Sequence, residues 1–298
     1  METVRIVTHS GGFHADDVFA TALLKKIEEE KGNTVEVIRS RDPEIWKTGN
    51  YVVDVGGVYD EVLGRFDHHQ EGGAGIRENG IPYSSFGLVW KRFGESVCGS
   101  QEVSLEVERL LVMPLDAHDC GVELVQNLKE GLQPLAISFL VHIFEPTWKD
   151  TSDENLLKGF HEAMEFATTV TSRLILRVQA GKEAEEIVTR AAKSQENKKI
   201  LVLDQYVPWE VSVSKIPEIL YVVYPHPSGT WSVKTARENL SSFKSRKNLP
   251  EAWAGKVNQE LQDITGVSDV TFCHNARFTC GAKSKEGALA LAKLALDN

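Results

Sequence analysis

The run VRIVTHS, residues 4–10, breaks at Gly11-Gly12 and is followed at once by DDVFATALLKKIEEE, where Val18, Ala22, Leu23 and Ile27 recur at helical spacing. A β-branched run handed straight to an amphipathic helix is the opening of a β-α-β unit, and no other feature restricts the chain as much. TVEVIRS (34–40) and YVVDVGG (51–57) read as the next strands, each closed by turn-forming residues, and helical patterns follow from about Ser84. The order β-α-β-β predicts an α/β domain on a mainly parallel sheet, because parallel neighbours need a crossover connection. Ligands of such sheets collect at the carboxyl ends of the strands, where these runs place their polar residues.

From Asp153 to about Lys198 the pattern is helical throughout, with Leu156, Phe160, Met164, Ala167, Val170, Leu174 and Val178 three or four residues apart. KILVL (199–203), ILYVVY (219–224) and WSVKTA (231–236) then restart strands, and KEGALALAKLAL (285–296) closes the chain as a helix. The expected organisation is a first α/β domain over 1–150, a helical connector over 151–198 and a smaller α/β domain over 199–298, in a chain long enough for two cores. No apolar run reaches about 18 residues, so no membrane span is expected. METVRIVTHS carries no basic n-region or Arg-rich presequence, which makes the cytoplasm the expected location and the nucleus the alternative. Cys98, Cys120, Cys273 and Cys280 lack CxxC spacing, so reduced thiols are expected rather than a zinc ribbon or a disulfide framework.

The net charge of −10 excludes a uniformly basic surface that coats nucleic acid. The charge is uneven: residues 199–298 hold 12 basic and 10 acidic side chains, and residues 1–198 hold 21 and 33. An anionic substrate is gripped more easily by the last third, while the acidic first part calls for bound cations.

Three strand ends supply the acids and imidazoles: His9, His14, Asp16 and Asp17 in HSGGFHADD, Asp54 in VVDVGG, and Asp67-His68-His69 in RFDHHQ. PLDAHDCG adds Asp116, His118 and Asp119. Each has an ordinary structural alternative: Asp16 as a first-turn acid, Asp54 as an Asx turn before Gly56-Gly57, His118 as a solvated histidine. Taken jointly they point to a metal centre. Nitrogen and oxygen donors without thiolate suit Mn, Mg, Fe(II), Co or Zn, and six or more exceed the needs of one tetrahedral ion. Two ions sharing a carboxylate activate water for in-line attack on phosphorus. Adjacent histidines in a strand point to opposite faces, so His68 and His69 are expected to divide the work. One ligates metal, the other donates a proton or binds phosphate, and Asp67 orients an imidazole or serves as an outer-shell acceptor.

Asp67-His68-His69 is the tripeptide that names the DHH phosphoesterase superfamily. Six ordered segments, THSGGFHADDVFATALL, VVDVGGVYD, RFDHHQ, DAHDCG, SFKSRKNLPEAWAG and CHNARFTCGAKSKEGALALAK, resemble the melanocyte proliferating gene family of DHH-like proteins along nearly the whole chain. The resemblance implies a two-domain DHH phosphoesterase-like architecture and two divalent ions, Mn or Mg, contacted by His9, His14, Asp16, Asp54, His68 and Asp119. His69 and Asp67 become the catalytic pair, with His69 at the substrate phosphate. His14-Ala15-Asp16 stands where the superfamily commonly has D-x-D and resembles the first motif of family II inorganic pyrophosphatases, which leaves the preferred metal open. The fourth motif offers both Asp116 and Asp119; Asp119 is chosen because its D-x-G resembles the D-T-G of small-substrate DHH enzymes. Cys120 stands where the family usually has Asn, as a packed bystander or a redox-sensitive thiol.

The resemblance also implies a substrate grip from Arg246, His274, Asn275, Arg277 and Lys283, with Gly281 permitting close approach of an anion. Phe243, Trp253, Phe272 and Phe278 read as core rather than as base-stacking platforms. The implied activity is 3′-to-5′ trimming of single-stranded RNA. The alternatives are hydrolysis of small nucleotides or pyrophosphate, and a non-catalytic metal-stabilised binder of RNA or protein.

Overall fold

In the computed structural model, which describes residues 2–125, 129, 131–132 and 134–298, strand β1 (Thr3–Thr8) lies inside a sheet with Ile6, Val7 and Thr8 fully buried. Helix α1 (Ala15–Glu30) follows after one loop and returns the chain to β2 (Thr34–Arg39). The short helix α2 (Pro43–Trp46), capped by the Asp42 side chain, leads to β3 (Tyr51–Val53), β4 (Tyr59–Asp60) and β5 (Arg65–Phe66). The sheet order is β2-β1-β3-β5-β4. β1 pairs in parallel with β2 and β3, β3 with β5, and the β4 edge is antiparallel. The mainly parallel sheet is therefore as expected. β3 is shorter than its sequence run predicts, because Asp54 turns to φ 56° and Gly56 to φ 101°, which ends the extended geometry at Val53. The chain leaves β1 for β2 on one side and crosses back to β3 on the other, so the carboxyl ends of β1 and β3 flank a topological switch point.

Helix α1 covers this sheet together with α3 (Ser85–Cys98), and the rings of Phe19 and Phe86 meet at 5.3 Å. Helices α4 (Gln101–Val107) and α5 (Met113–Asp119) are joined by a π-helical turn over Glu108–Val112, and α6 (Ile137–His142) and α7 (Asp153–Ser194) follow. Phe160 of α7 is fully buried edge-on against Phe13, 5.4 Å between centroids, which ties the loop after β1 to the core. Each such ring contributes about 1.5–3 kcal/mol through burial.

The chain divides into two compact units, Met1–Gln179 and Ala180–Asn298. The division falls inside α7, in the stretch that the sequence sets apart as a connector. Phe160, Ala163, Met164 and Ala167 belong to the core of the first unit, Ala184 and Val188 to that of the second. The second unit continues with β6 (Ile200–Val202), α8 (Glu210–Ser214), β7 (Tyr221–Pro225), β8 (Trp231–Thr235), α9 (Asn258–Thr265), β9 (Val270–Cys273), β10 (Thr279–Ala282) and α10 (Lys285–Asp297). Its sheet, β6-β7-β8-β10-β9, is parallel at β6–β7 and antiparallel elsewhere. The hairpin β9–β10 is the element that periodicity alone does not separate. No helix among the described residues is long and apolar enough to cross a membrane, and all four cysteines are free.

Candidate metal centre

His9 leaves the end of β1, Asp54 the end of β3 and His68 the end of β5, while His14 and Asp16 open α1 and Asp119 closes α5. All six sequence candidates converge. Their donor atoms form four groups, each held within 4.8 Å: His9, His14 and Asp54; Asp54, His68 and His69; His68, Asp119 and Cys120; His14, Asp16 and Asp119. Each group shares one member with the next, so the four close into a ring. Asp54 is central to it, with Oδ2 3.3 Å from His9 Nε2 and Oδ1 3.3 Å from His68 Nε2. His68 Nε2 also lies 3.3 Å from Asp119 Oδ2 and 3.8 Å from Asp16 Oδ2.

A buried polar atom without a partner costs roughly 1–3 kcal/mol. His9 Nε2, Asp16 Oδ1, Asp17 Oδ2 and His68 Nε2 are all buried with no hydrogen-bond partner among the described residues. Imidazole nitrogens and carboxylate oxygens that face one another without hydrogen-bond alignment fit the inner shell of divalent cations. His9 Nδ1 lies 3.3 Å from the Ser10 carbonyl and 3.2 Å from Arg41 Nη2; in the tautomer that donates to the carbonyl, Nε2 is free for a metal.

Burial pushes the Asp16 carboxyl well above the usual range, and the charges of Asp54, Asp119 and Asp17 push it further. Burial opposes ionisation of Asp54 too, but the imidazoles of His68 and His9 overcome it and hold that carboxyl well below the usual range. For His9, burial works against the charge, yet Asp17 and Asp54 raise it to about 10; Asp54, Cys120 and Asp119 do the same for His68, also to about 10. In the metal-free protein these protonated histidines act as the counter-cations of the acid cluster.

The folded state thus keeps two protons that the unfolded chain releases from pH 6.5 upward. Their stabilisation is complete below pH 6.5 and is lost as pH rises to about 10. In chelator the melting temperature is expected to fall across this window. Saturating Mn replaces the protons and flattens the decline; equal slopes with and without Mn would contradict the assignment.

His68 and His69 escape the opposite-face rule because β5 ends at Phe66, and their rings lie 4.3 Å apart. His69 Nδ1 sits 2.8 Å from Asp67 Oδ1, while Asp67 is buried and its Oδ2 accepts the Gly57 N–H at 2.5 Å. Asp67 therefore holds the His69 ring and belongs to none of the four donor groups itself. The His69 side chain is 62% exposed.

Asp116 and Asp119 separate cleanly. Asp116 is fully buried and accepts from Ser84 Oγ at 2.6 Å and Gly87 N at 3.0 Å, with Arg77 Nη2 at 2.7 Å. Burial pushes its carboxyl up to about 6 against the pull of Ser84 and Arg77. His118 is exposed and joins none of the four groups.

Of the supporting residues the sequence pointed only to Asp17, and as a candidate ligand, whereas it joins none of the four groups. Ser85 at the start of α3 donates its hydroxyl to Asp54 Oδ1 at 2.9 Å and its N–H to Asp16 Oδ2 at 3.3 Å. Asp17 Oδ1 caps the His14 N–H at 2.9 Å, and its Oδ2 lies 3.2 Å from His9 Nε2. Arg39 donates to the Gly11 and Gly12 carbonyls, Arg41 to that of Ser10, and Glu145 Oε1 accepts the Phe13 N–H, so residues 10–13 are braced from three places. Apart from the acid at the third helical position, a capping signal, nothing local in the sequence marks these partners.

In the second unit, Arg246 is not a free cation. Its Nη1 and Nη2 donate to the carbonyls of Ile216, Ile219, Val213 and Ser214, which fastens the end of α8. Gly281 is likewise explained by packing, since a Cβ there would fall 2.8 Å from Thr271 Oγ1. His274, Asn275 and Arg277 occupy the β9–β10 turn, where Arg277 adopts φ 57° and donates its N–H to the His274 carbonyl. His274 Nδ1 accepts the Ala276 N–H at 3.0 Å, and Lys283 is exposed just beyond β10. Trp253 is core as expected, but Phe272 is 39% and Phe243 87% exposed. The Arg237 guanidinium lies over the Phe243 ring, 4.8 Å from its centroid, and the ring stands outside the apolar cores of the second unit.

A family model described as uncharacterised protein family UPF0160, MYG1_exonuc, matches residues 5–296. The MYG1 protein of Saccharomyces cerevisiae is 33% identical over 325 residues, 98% of this chain and 95% of that one. The human MYG1 exonuclease is 29% identical over 331 residues, covering 99% of this chain and 86% of that one. Among solved structures, RecJ of Thermus thermophilus in complex with Mn2+ aligns with 99% of this chain at a TM-score of 0.30 and 13% identity, a slight likeness. This chain spans about half of that protein, 52% of its length.

Proposed function

The chain belongs to the MYG1 exonuclease family, UPF0160, and from that premise we propose that it is a metal-dependent phosphodiesterase that trims single-stranded RNA from its 3′ end. The observation that carries the reading is the closed ring of donor groups pivoting on Asp54, with unpartnered buried atoms of His9, Asp16 and His68 aimed into it. Two divalent cations held there by His9, His14, Asp16, Asp54, His68 and Asp119 would neutralise a phosphate and acidify a water. Ser85 fixes the Asp54 and Asp16 carboxylates, and the braced loop 10–13 fixes His9 and His14.

Asp67 accepts a hydrogen bond from Nδ1–H of His69, so the protonated ring of this exposed side chain can release its Nε2 proton to the departing oxygen and remain as the neutral Nδ1–H imidazole. The buried Asp67 also prevents the ring from turning over. In the second unit His274, Asn275, Arg277 and Lys283 remain the proposed grip, and the exposed Phe243 with Arg237 offers a face on which a base can stack. That exposed aromatic favours a polynucleotide over a small phosphoester. The −10 net charge favours the small substrate, so a nucleotide or pyrophosphate is the second reading.

With Mn or Mg, purified protein is expected to shorten a 5′-labelled RNA by single nucleotides and to leave a 3′-blocked RNA intact. Chelator abolishes trimming, and His69→Asn slows it about 100-fold or more. Turnover confined to dinucleotides would select the small substrate, and bound metal with no turnover on any phosphoester would make the protein a binder.

A further inference from the structure

Three of the four donor groups contain only nitrogen and oxygen; the remaining one, His68, Asp119 and Cys120, contains a thiol. We propose that Cys120 is a ligand of the ion shared by His68 and Asp119, and that this thiolate gives that position a preference for thiophilic divalent metals, Zn or Co, over Mg and Mn. The inference rests on the metal-centre reading above and adds a ligand to it.

The geometry of the helix end brings the thiol there. Cys120 is the C-cap residue of α5, with its N–H bonded to the Asp116 carbonyl, and Gly121 at φ 73° turns the chain away immediately after it. Cys120 is thereby held next to Asp119 and is neither fully buried nor fully exposed. Its thiol lies within 4.8 Å of a ring nitrogen of His68. The other cysteines differ: Cys98, Cys273 and Cys280 are buried in apolar clusters, and burial pushes the first two up to about 11.

The thiol is not the sole sign of a ligand. His68 Nε2 and Asp16 Oδ1 have no hydrogen-bond partner among the described residues, Asp16 is 0% exposed, and its carboxyl faces Asp119. On a tetrahedral ion with bonds of about 2.0–2.3 Å, neighbouring donor atoms sit roughly 3.3–3.6 Å apart. His68 Nε2 and Asp119 Oδ2 already stand at 3.3 Å, and the thiol lies within 4.8 Å of both. Binding releases the thiol proton to solvent and forms one metal–sulfur bond, with no change of oxidation state. Thiolate donors favour soft and borderline ions, whereas Mg keeps to oxygen.

The test is Co2+ titration of the metal-free full chain, followed by absorption. Wild type should develop visible ligand-field bands and a near-ultraviolet sulfur-to-cobalt charge-transfer band. Cys120→Ser, close in shape, should keep the ligand-field bands and lose the charge-transfer band. Its Zn affinity in competition with a chelating dye should fall about 10- to 100-fold, while its Mn affinity changes less than threefold. Ligand-field bands without charge transfer in the wild type overturn the Cys120 ligand and leave the metal centre standing. A charge-transfer band that survives in Cys120→Ser assigns the sulfur elsewhere and also overturns it. No cobalt bands of either kind overturn both this inference and the metal-centre reading.

Discussion

Asp54→Asn is expected to lower turnover at least about 100-fold and to reduce the metal bound per chain, more than loss of an outer-shell partner would. Asn keeps the shape of the side chain and tolerates the φ of 56° that Asp54 adopts, so the backbone has no reason to change. What is lost is one charge and one donor oxygen. The two oxygens of Asp54 face different imidazoles, His9 and His68, each at 3.3 Å, and Asp54 belongs to two of the four donor groups. Asp119 also joins two groups, but among the described residues only Asp54 has its two oxygens set against two different imidazoles at 3.3 Å. Without metal the variant should also melt lower at pH 7. A carboxyl held below its usual range stabilises the folded state above the unfolded value of 3.8, and that contribution disappears with the charge. Elemental analysis, turnover on labelled RNA and thermal melting in chelator read the three effects. Wild-type metal content together with wild-type turnover would remove Asp54 from the centre.

Arg77→Met should destabilise the metal-free protein by about 3–5 kcal/mol, the usual cost of removing one partner of a buried ion pair. Arg77 is 9% exposed, with Nη2 2.7 Å from Asp116 Oδ2 and Nε 2.7 Å from Glu108 Oε1, and its guanidinium lies 3.9 Å above the Tyr83 ring. Methionine replaces the packing and leaves two carboxylates without their cation. Asp116 then protonates more readily than it already does, since burial alone pushes it up. Asp116 and Asp119 are three residues apart on one face of α5, so slackening the first should also weaken metal binding through the second.

Gly87→Ala strikes the same contact from the other side, because a Cβ there would fall 1.9 Å from Asp116 Oδ2. Urea unfolding in chelator measures the stability change, and Mn titration measures the coupling. A loss below about 1 kcal/mol for Arg77→Met would mean that Ser84 and Gly87 alone satisfy Asp116.

Much of the first unit was legible because its signals are local. VRIVTHS, the helix that begins near Asp16, and the strand ends at Asp54 and Asp67 each carry their period and their turn residues within a dozen positions. The long helix 153–194 and the strands of the second unit were legible for the same reason. The hairpin at Val270–Cys273 and Thr279–Ala282 was not, since each strand has four residues and a Gly or Cys stands where alternation would be read. The supporting residues were hidden for another reason. Ser85 reaches Asp16 across 69 positions and Phe13 reaches Glu145 across 132, and no spacing rule extends so far.

Arg246 shows the limit from the opposite side. A guanidinium beside Lys244 and Lys247 in FKSRK has the composition of an anion grip, yet four carbonyls at the end of α8 engage it. Phe243, directly after a serine pair, has the composition of core and stands in solvent.

By itself the sequence determined which chemical groups end the strands: imidazoles and carboxylates at carboxyl ends, the donor types of a candidate metal site. The tertiary structure alone decided how they are shared. It gave Asp116 to a buried arginine and Asp119 to the centre, turned His68 inward and held His69 outward on Asp67, and set a thiol at the edge of the ring. The physical reason is that donor type is a property of one residue, whereas ligation depends on which atoms remain unpartnered once chain segments far apart in sequence have packed.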